Sequence, residues 1–193
     1  MNSNDLDDSR YFWQGDRVRL RPLRPDDAER LFAESLDSPS RQVLQLEIEL
    51  PSSIEAKRAE IDQYAGCKET NGVILFAVEA VGGEAVGGIS LHSQDHKNGV
   101  FSAGLIISRP YWGRSYGADA LRILLRYAFW ERRFQKRDSA CVATNQASIA
   151  LHRKLGFVEE GRRRCRWFLN GEHVDEILFG LTREEFDAVE ESL

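Results

Sequence analysis

Leu105-Ile106-Ile107-Ser108, followed by Tyr111-Trp112-Gly113-Arg114-Ser115-Tyr116-Gly117-Ala118, is the stretch on which the fold turns. Its first four residues close an apolar, β-rich run over 100–108 that reads as a largely buried strand. Beyond the turn, Leu121, Leu124, Leu125 and Ala128 recur at i, i+3, i+4 and i+7, which predicts an amphipathic helix to about Arg132. A strand that runs through a glycine-containing turn into a helix N-terminus is an anion trap. The unpaired N–H groups of the first helical turn point outward, the helix dipole adds positive potential, and small residues let a pyrophosphate approach the backbone. The spacing is neither the G-x-G-x-x-G of a dinucleotide fold nor the Gly-Lys-Ser/Thr ending of a P-loop.

Upstream, Arg17-Val18-Arg19-Leu20-Arg21 alternates charged and apolar residues, the period of a half-buried strand. Pro22, Pro25 and Asp26 punctuate it, and Ala28, Leu31 and Phe32 follow at helical spacing. Residues 41–50 read as a helix-rich connection, and Ser52 or Ser53 caps a helix through Ile61 and Tyr64 toward Lys68. Strands over 73–81 and 85–91 flank Gly82-Gly83, and turns of this kind suit an antiparallel meander. Downstream come a short strand over 136–143, a helix over 148–155 that Gly156 terminates, and two strands about Asn170-Gly171, a strong hairpin signal. Thr182 and Glu185 form a capping box that opens a terminal helix. The expected fold is α+β: a twisted, largely antiparallel sheet flanked by helices, with residues 1–10 a flexible terminus and 11–193 one domain.

Composition sets the class. The 193 residues, 42% hydrophobic and 30% charged, are those of an ordinary globular protein. No run of about 18 apolar residues offers a transmembrane helix, and the acidic N-terminus lacks the basic and apolar regions of a secretory signal. The net charge of -5 argues against nucleic acid as the main partner. Cys67, Cys141 and Cys165 are odd in number and widely spaced, which favours reduced thiols and a cytoplasmic location; Cys141 and Cys165 are expected to be packed and unreactive. His92 and His96 lack a visible third ligand, so no metal site is expected. Arg162-Arg163-Arg164 and Arg166 read as a solvated sheet edge.

A second motif, Asn145-Gln146-Ala147-Ser148-Ile149-Ala150-Leu151-His152-Arg153-Lys154-Leu155-Gly156-Phe157, with Glu160-Gly161 beyond it, sharpens the reading. Together the two motifs resemble the acyl-CoA motifs of the GNAT N-acetyltransferase superfamily. The Tyr-Trp-Gly-x-x-Tyr-Gly turn and the strand from Gly171 to Asp175 are similar to the branch that acetylates the N-termini of ribosomal proteins, and to related polyamine and amino-sugar enzymes. The resemblance spans about residues 17–181 and implies a sheet splayed at the coenzyme site. It implies acetyl-CoA as co-substrate, no metal, and an amine acceptor, either a peptide N-terminus or a small molecule; a homodimer is compatible with it.

The implied roles fall on particular residues. The backbone at Ile106 and Ile107 would bond the pantetheine arm, with Ile107 polarising the thioester carbonyl. Trp112, Gly113, Arg114, Ser115, Tyr116, Gly117 and Ala118 would wrap the pyrophosphate; Asn145 would bond a pantetheine amide; and the helix of Ser148 and Lys154 would flank the coenzyme. Trp112 and Ser115 depart from the usual loop, where Arg or Gln and Gly stand. His152 occupies the place of the tyrosine that commonly protonates the departing thiolate. As an imidazolium it could do the same, and a helix histidine that only hydrogen-bonds is the alternative. Ser102 stands where that branch often has a glutamate, so Glu47, Glu49, Glu79 or a water chain is left as the base. No cysteine lies in either motif, so direct attack in a ternary complex is the expected mechanism. The rivals are an acyl-CoA-binding module without turnover and a polyamine, amino-sugar or aminoglycoside acetyltransferase.

Overall fold

A computed structural model describes residues 11–45 and 48–192, and the expected flexible segment 1–10 and Glu47 lie outside them. Seven strands form one sheet in the order β1-β2-β3-β4-β5-β7-β6. They are β1 Val18–Arg21, β2 Ile74–Ala80, β3 Ala85–Asp95, β4 Val100–Ile107, β5 Lys136–Val142, β6 Val158–Leu169 and β7 Glu172–Thr182. Every neighbouring pair is antiparallel except β4 with β5. The helices among the described residues are α1 Asp27–Ser35, α2 Ser38–Gln45, α3 Ile54–Tyr64, α4 Tyr116–Arg126, α5 Gln146–Lys154 and α6 Arg183–Glu191. The mixed α/β architecture with a mostly antiparallel sheet is the expected one.

Side-chain alternation along β4 assigns its two faces. Phe101, Leu105 and Ile107 face α4 and the turn that follows it, where Phe101 meets Phe129 edge-on at 5.5 Å. Ile106 points the other way, toward α1 and α2. The larger core fills the α4, α5 and α6 side, and a smaller cluster of Leu23, Ala28, Ile61 and Ala77 holds α1 and α3 to the opposite face. Local signals place several ends. The Ser53 side chain accepts from the Ala56 N–H, Thr182 and Glu185 form their capping box, and Gly156 ends α5 with φ 84°.

Three expectations change. The helix predicted to Arg132 is α-helical only to Arg126; residues Tyr127–Glu131 form a π turn, and its wider coil buries Ala128 and Phe129. Arg21 does not face water as strict alternation requires. It is buried, and its guanidinium bonds Asp27 at 2.8 and 2.9 Å and also bonds Glu79. Cys165 is exposed, not packed, because β6 bulges between Arg163 and Trp167; Cys165 takes φ 51° there and donates its N–H to Asp175 Oδ1 at 2.9 Å. The arginines around it line an edge strand, where Arg162 and Arg163 pair with Asp175 and Glu176 across the hairpin at 3.2 and 2.9 Å.

Candidate active site

The ladder between β4 and β5 holds only at Val100–Lys136 and Phe101–Arg137, after which the strands part. The β3–β4 register decides which groups this uncovers. The Ser108 N–H donates to the Val86 carbonyl at 3.0 Å, so Ser108, Ile106 and Gly104 turn their backbones toward β3. Ala103, Leu105 and Ile107 therefore turn theirs toward the gap. Two of those carbonyls are taken by side chains: Ala103 O by Arg137 Nη2 at 3.1 Å and Ile107 O by the Trp112 indole N–H at 2.6 Å. The Leu105 backbone and the Ile107 N–H have no strand opposite them. A strand edge with free N–H groups fits an amide-bearing chain such as pantetheine, laid along it like an added strand.

The gap opens into a cavity of about 1260 Å³. Every residue given a coenzyme or acid role in the two motifs lines it except Ile106, whose backbone belongs to the β3 ladder and whose side chain lines a second pocket on the α1 face. At the turn, Ser115 caps α4 in a left-handed conformation, φ 62°, without a side-chain cap bond, which leaves first-turn N–H groups of α4 pointing into the cavity mouth. Asp119 of that same turn does not oppose an anion there, because its carboxylate accepts from the Arg17 and Val18 N–H groups at 2.8 and 2.9 Å. Gly117 has a packing reason to be small besides the one expected: a Cβ there would stand 3.2 Å from Leu105 Cδ2 and 3.5 Å from Ile107 Cγ1. It lets α4 pack on β4, so enlarging it disturbs the fold as well as the cavity.

On the other wall, Asn145 caps α5, and its Oδ1 accepts from the Ser148 N–H at 3.0 Å; only its amide N–H₂ remains for a ligand. His152 is 5% exposed, stacked on Phe179 at 4.6 Å, and belongs to the β5 and β7 side, not to the strand of Ile107. Its Nδ1 lies 2.7 Å from the Ser148 carbonyl, which can only accept, so Nδ1 carries the proton. Burial pushes the imidazole down to about 4, so the ring is neutral near pH 7 and Nε2 accepts from the Ser139 hydroxyl at 2.7 Å. The expectation of an imidazolium that offers a proton to the cavity does not hold.

Two of the glutamates weighed as bases, Glu79 and Glu49, are committed elsewhere. Glu79 is 1% exposed between Arg19, Arg21 and Arg24; burial works to raise its carboxyl, and the hydrogen bonds and charge of Arg21 and Arg19 outweigh it. Glu49 is held below the ordinary range chiefly by its hydrogen bonds from Arg41. His92, weighed in the sequence only as a metal ligand, pairs with Ser102 in register and lines the cavity; burial, with the Arg137 charge, lowers its pKa. Ser139 and Arg137 were also missed. Period-2 alternation along 136–143 puts Arg137 and Ser139 on the face of Cys141, and an arginine on a buried strand face is the signal that could have found them. No group of three or more side chains able to hold a metal is found among the described residues, nor any helix long and apolar enough to cross a membrane.

This cleft, formed by two diverging strands above a helix-capping turn, defines a class of acyl-transfer protein, and comparison with known sequences gives the family. The chain matches the family model for the acetyltransferase (GNAT) domain over residues 17–158 and belongs to that family, whose members transfer acetyl from acetyl-CoA to an amine. It is 32% identical to the SPbeta prophage-derived uncharacterized N-acetyltransferase YokL of Bacillus subtilis, over 91% of this chain and 96% of that one. It is 30% identical to the putative ribosomal N-acetyltransferase YdaF of the same organism, over 89% and 94% of the two chains. A crystal structure of spermidine N-acetyltransferase from Vibrio cholerae in complex with CoA and spermine has the same fold, with a TM-score of 0.77 at 19% identity over 89% of this chain and 99% of that one.

Proposed function

We propose that this protein acetylates a primary amine by direct attack on acetyl-CoA held in the β4–β5 gap. The observation that carries the reading is the unpaired edge of β4, where Leu105 and Ile107 face the cavity with N–H groups in position for the pantetheine arm and the thioester carbonyl. The uncapped turn at 112–118 supports placing the pyrophosphate at the N-terminus of α4. The amine nitrogen adds to the thioester carbon, fixed N–H donors stabilise the tetrahedral oxyanion so formed, and its collapse breaks the C–S bond and releases the coenzyme thiolate.

His92 takes the amine proton, directly or through water, being an imidazole on the cavity wall beside Ser102 whose pKa burial shifts toward the unprotonated form. His152 has no proton directed at the cavity, and the one Ser139 hydroxyl proton is donated to His152 Nε2, so the pair shapes the cavity wall and the departing thiolate takes its proton from water. Cys141 lines the cavity too, but burial raises its thiol pKa, which makes an acyl-cysteine a poor intermediate.

Initial rates measured over a grid of acetyl-CoA and amine concentrations, with free-thiol detection, test this. Intersecting double-reciprocal lines are expected, with no acetylated protein in intact-mass spectra without acceptor. Parallel lines with an acyl group trapped on Cys141 would contradict direct attack. Coenzyme binding without amine-dependent thiol release would favour a binding module.

A further inference from the structure

Among the described residues, four buried side-chain nitrogens lack a hydrogen-bond partner, and all belong to two arginines: Nε and Nη1 of Arg137, Nε and Nη2 of Arg30. Each arginine lines a cavity, Arg137 the large one at the β4–β5 gap and Arg30 the smaller one on the α1 face. Arg30 has a carboxylate, Glu34, at 2.6 Å. Arg137 has none. It is 3% exposed, rises from the residue at which β4 and β5 part, and lies with its Cζ 4.9 Å from the centre of the Phe157 ring. Its one hydrogen bond, Nη2 to the Ala103 carbonyl, leaves the charge uncompensated. Burial lowers its pKa to about 9, and it stays a cation at neutral pH. An enclosed guanidinium without a counter-charge weakens a fold unless a ligand supplies one. That ligand is not the coenzyme pyrophosphate, because the 112–118 turn lies beyond the far end of β4, more than about 13 Å along the strand from Ala103.

The acids near both cavities are already engaged. Asp37 pairs with Arg109 at 2.6 Å, Glu49 with Arg41, and Asp138 and Glu160 with Lys136 at 3.6 and 2.6 Å. A polycation would find no uncommitted carboxylate among these, and would meet the Arg137 charge. We propose that the acceptor is a small amino acid, an amine that carries its own carboxylate, and that Arg137 binds that carboxylate through its unpaired N–H groups. The amine of such a molecule then lies near His92, close enough to Arg137 for its imidazole to feel the guanidinium charge. A peptide N-terminus has a neutral amide in place of that carboxylate and leaves Arg137 unpaired.

The inference rests on the acetyl-transfer reading, and matched acceptors separate the two. Free amino acids are compared with their carboxamides (leucine with leucinamide, glutamate with its diamide) and with spermidine, in acetyl-CoA-dependent thiol release. The acids are expected to exceed the amides in kcat/KM by roughly tenfold or more, the worth of one charge-assisted contact. Arg137→Leu should erase the acid-over-amide ratio, which a change at His92 common to both acceptors does not move, with acetyl-CoA affinity retained by calorimetry; Arg137→Lys should recover part of the preference. Equal use of acid and amide by the wild-type protein, preference for spermidine, or no turnover of any amino acid while acetyl-CoA binds would each overturn it. Failure of the wild-type protein to bind acetyl-CoA would instead remove the acetyl-transfer reading beneath it.

Discussion

Ser115 shows how one residue can be read correctly as a departure and still be understood only in three dimensions. Its backbone is left-handed at φ 62°, a conformation that costs a non-glycine residue about 1–2 kcal/mol and explains why similar loops use glycine there. Its side chain makes no cap bond, so the N–H groups of the turn stay available. His152 is the opposite case: the motif fixed its place on α5, but only the contact with Phe179 and the two hydrogen bonds reveal a neutral, enclosed ring. The folded pKa of about 4 lies below the unfolded value of about 6.5, so more protons bind the unfolded chain between these pH values. The contribution of His152 is therefore complete above about pH 6.5 and is lost as pH falls toward 4, on the order of 3 kcal/mol in all. Thermal melts from pH 7.5 to 4.5 should show a steeper loss of stability for the wild type than for His152→Phe. Parallel curves would mean that the ring is charged in the folded protein.

At the scale of elements, what the sequence made legible was what is local in it. The Asn170-Gly171 hairpin, the Thr182–Glu185 box, the Gly156 stop and the Ser53 cap each depend on neighbours within a few residues, and each stands as read. The gap between β4 and β5 was reached through resemblance alone, since nothing within either strand says that their ladder ends at Phe101 and Arg137. His92 escaped for the same reason, since its meaning comes from register with Ser102 across the β3–β4 turn, whereas Arg137 and Ser139 carried a local signal in the alternation of β5. Glu79 shows the cost of reading a strand by alternation only. It knots β1, β2 and the start of α1 through Arg21, which is itself bound to Asp27. Glu79→Ala leaves the buried Arg21 guanidinium with Asp27 as its one carboxylate and should lower stability by about 1–3 kcal/mol in urea unfolding. Turnover per folded molecule should stay close to wild type. A loss of kcat with unchanged stability would return Glu79 to the list of bases.

At the scale of the whole molecule, the fold divides its labour between two halves joined at one point. Strands β1 to β4 with α1 to α3 form the side on which His92 and the smaller pocket lie, and β5 to β7 with α5 and α6 form the side of Ser139 and His152. Helix α4 supports β4 from beneath, with Gly117 allowing the close approach. The edge of β4 that this division leaves bare can be tested with proline, with Leu105→Ala as the control for the packing of the Leu105 side chain against α4. At Leu105 the N–H faces the gap and not β3, so Leu105→Pro removes one donor without breaking a bond of the β3–β4 ladder. Calorimetric titration with acetyl-CoA should give a single site for the wild-type protein and an affinity at least about tenfold weaker for Leu105→Pro, with the far-UV spectrum unchanged. Equal affinity in the two proteins would place the coenzyme elsewhere and contradict the account.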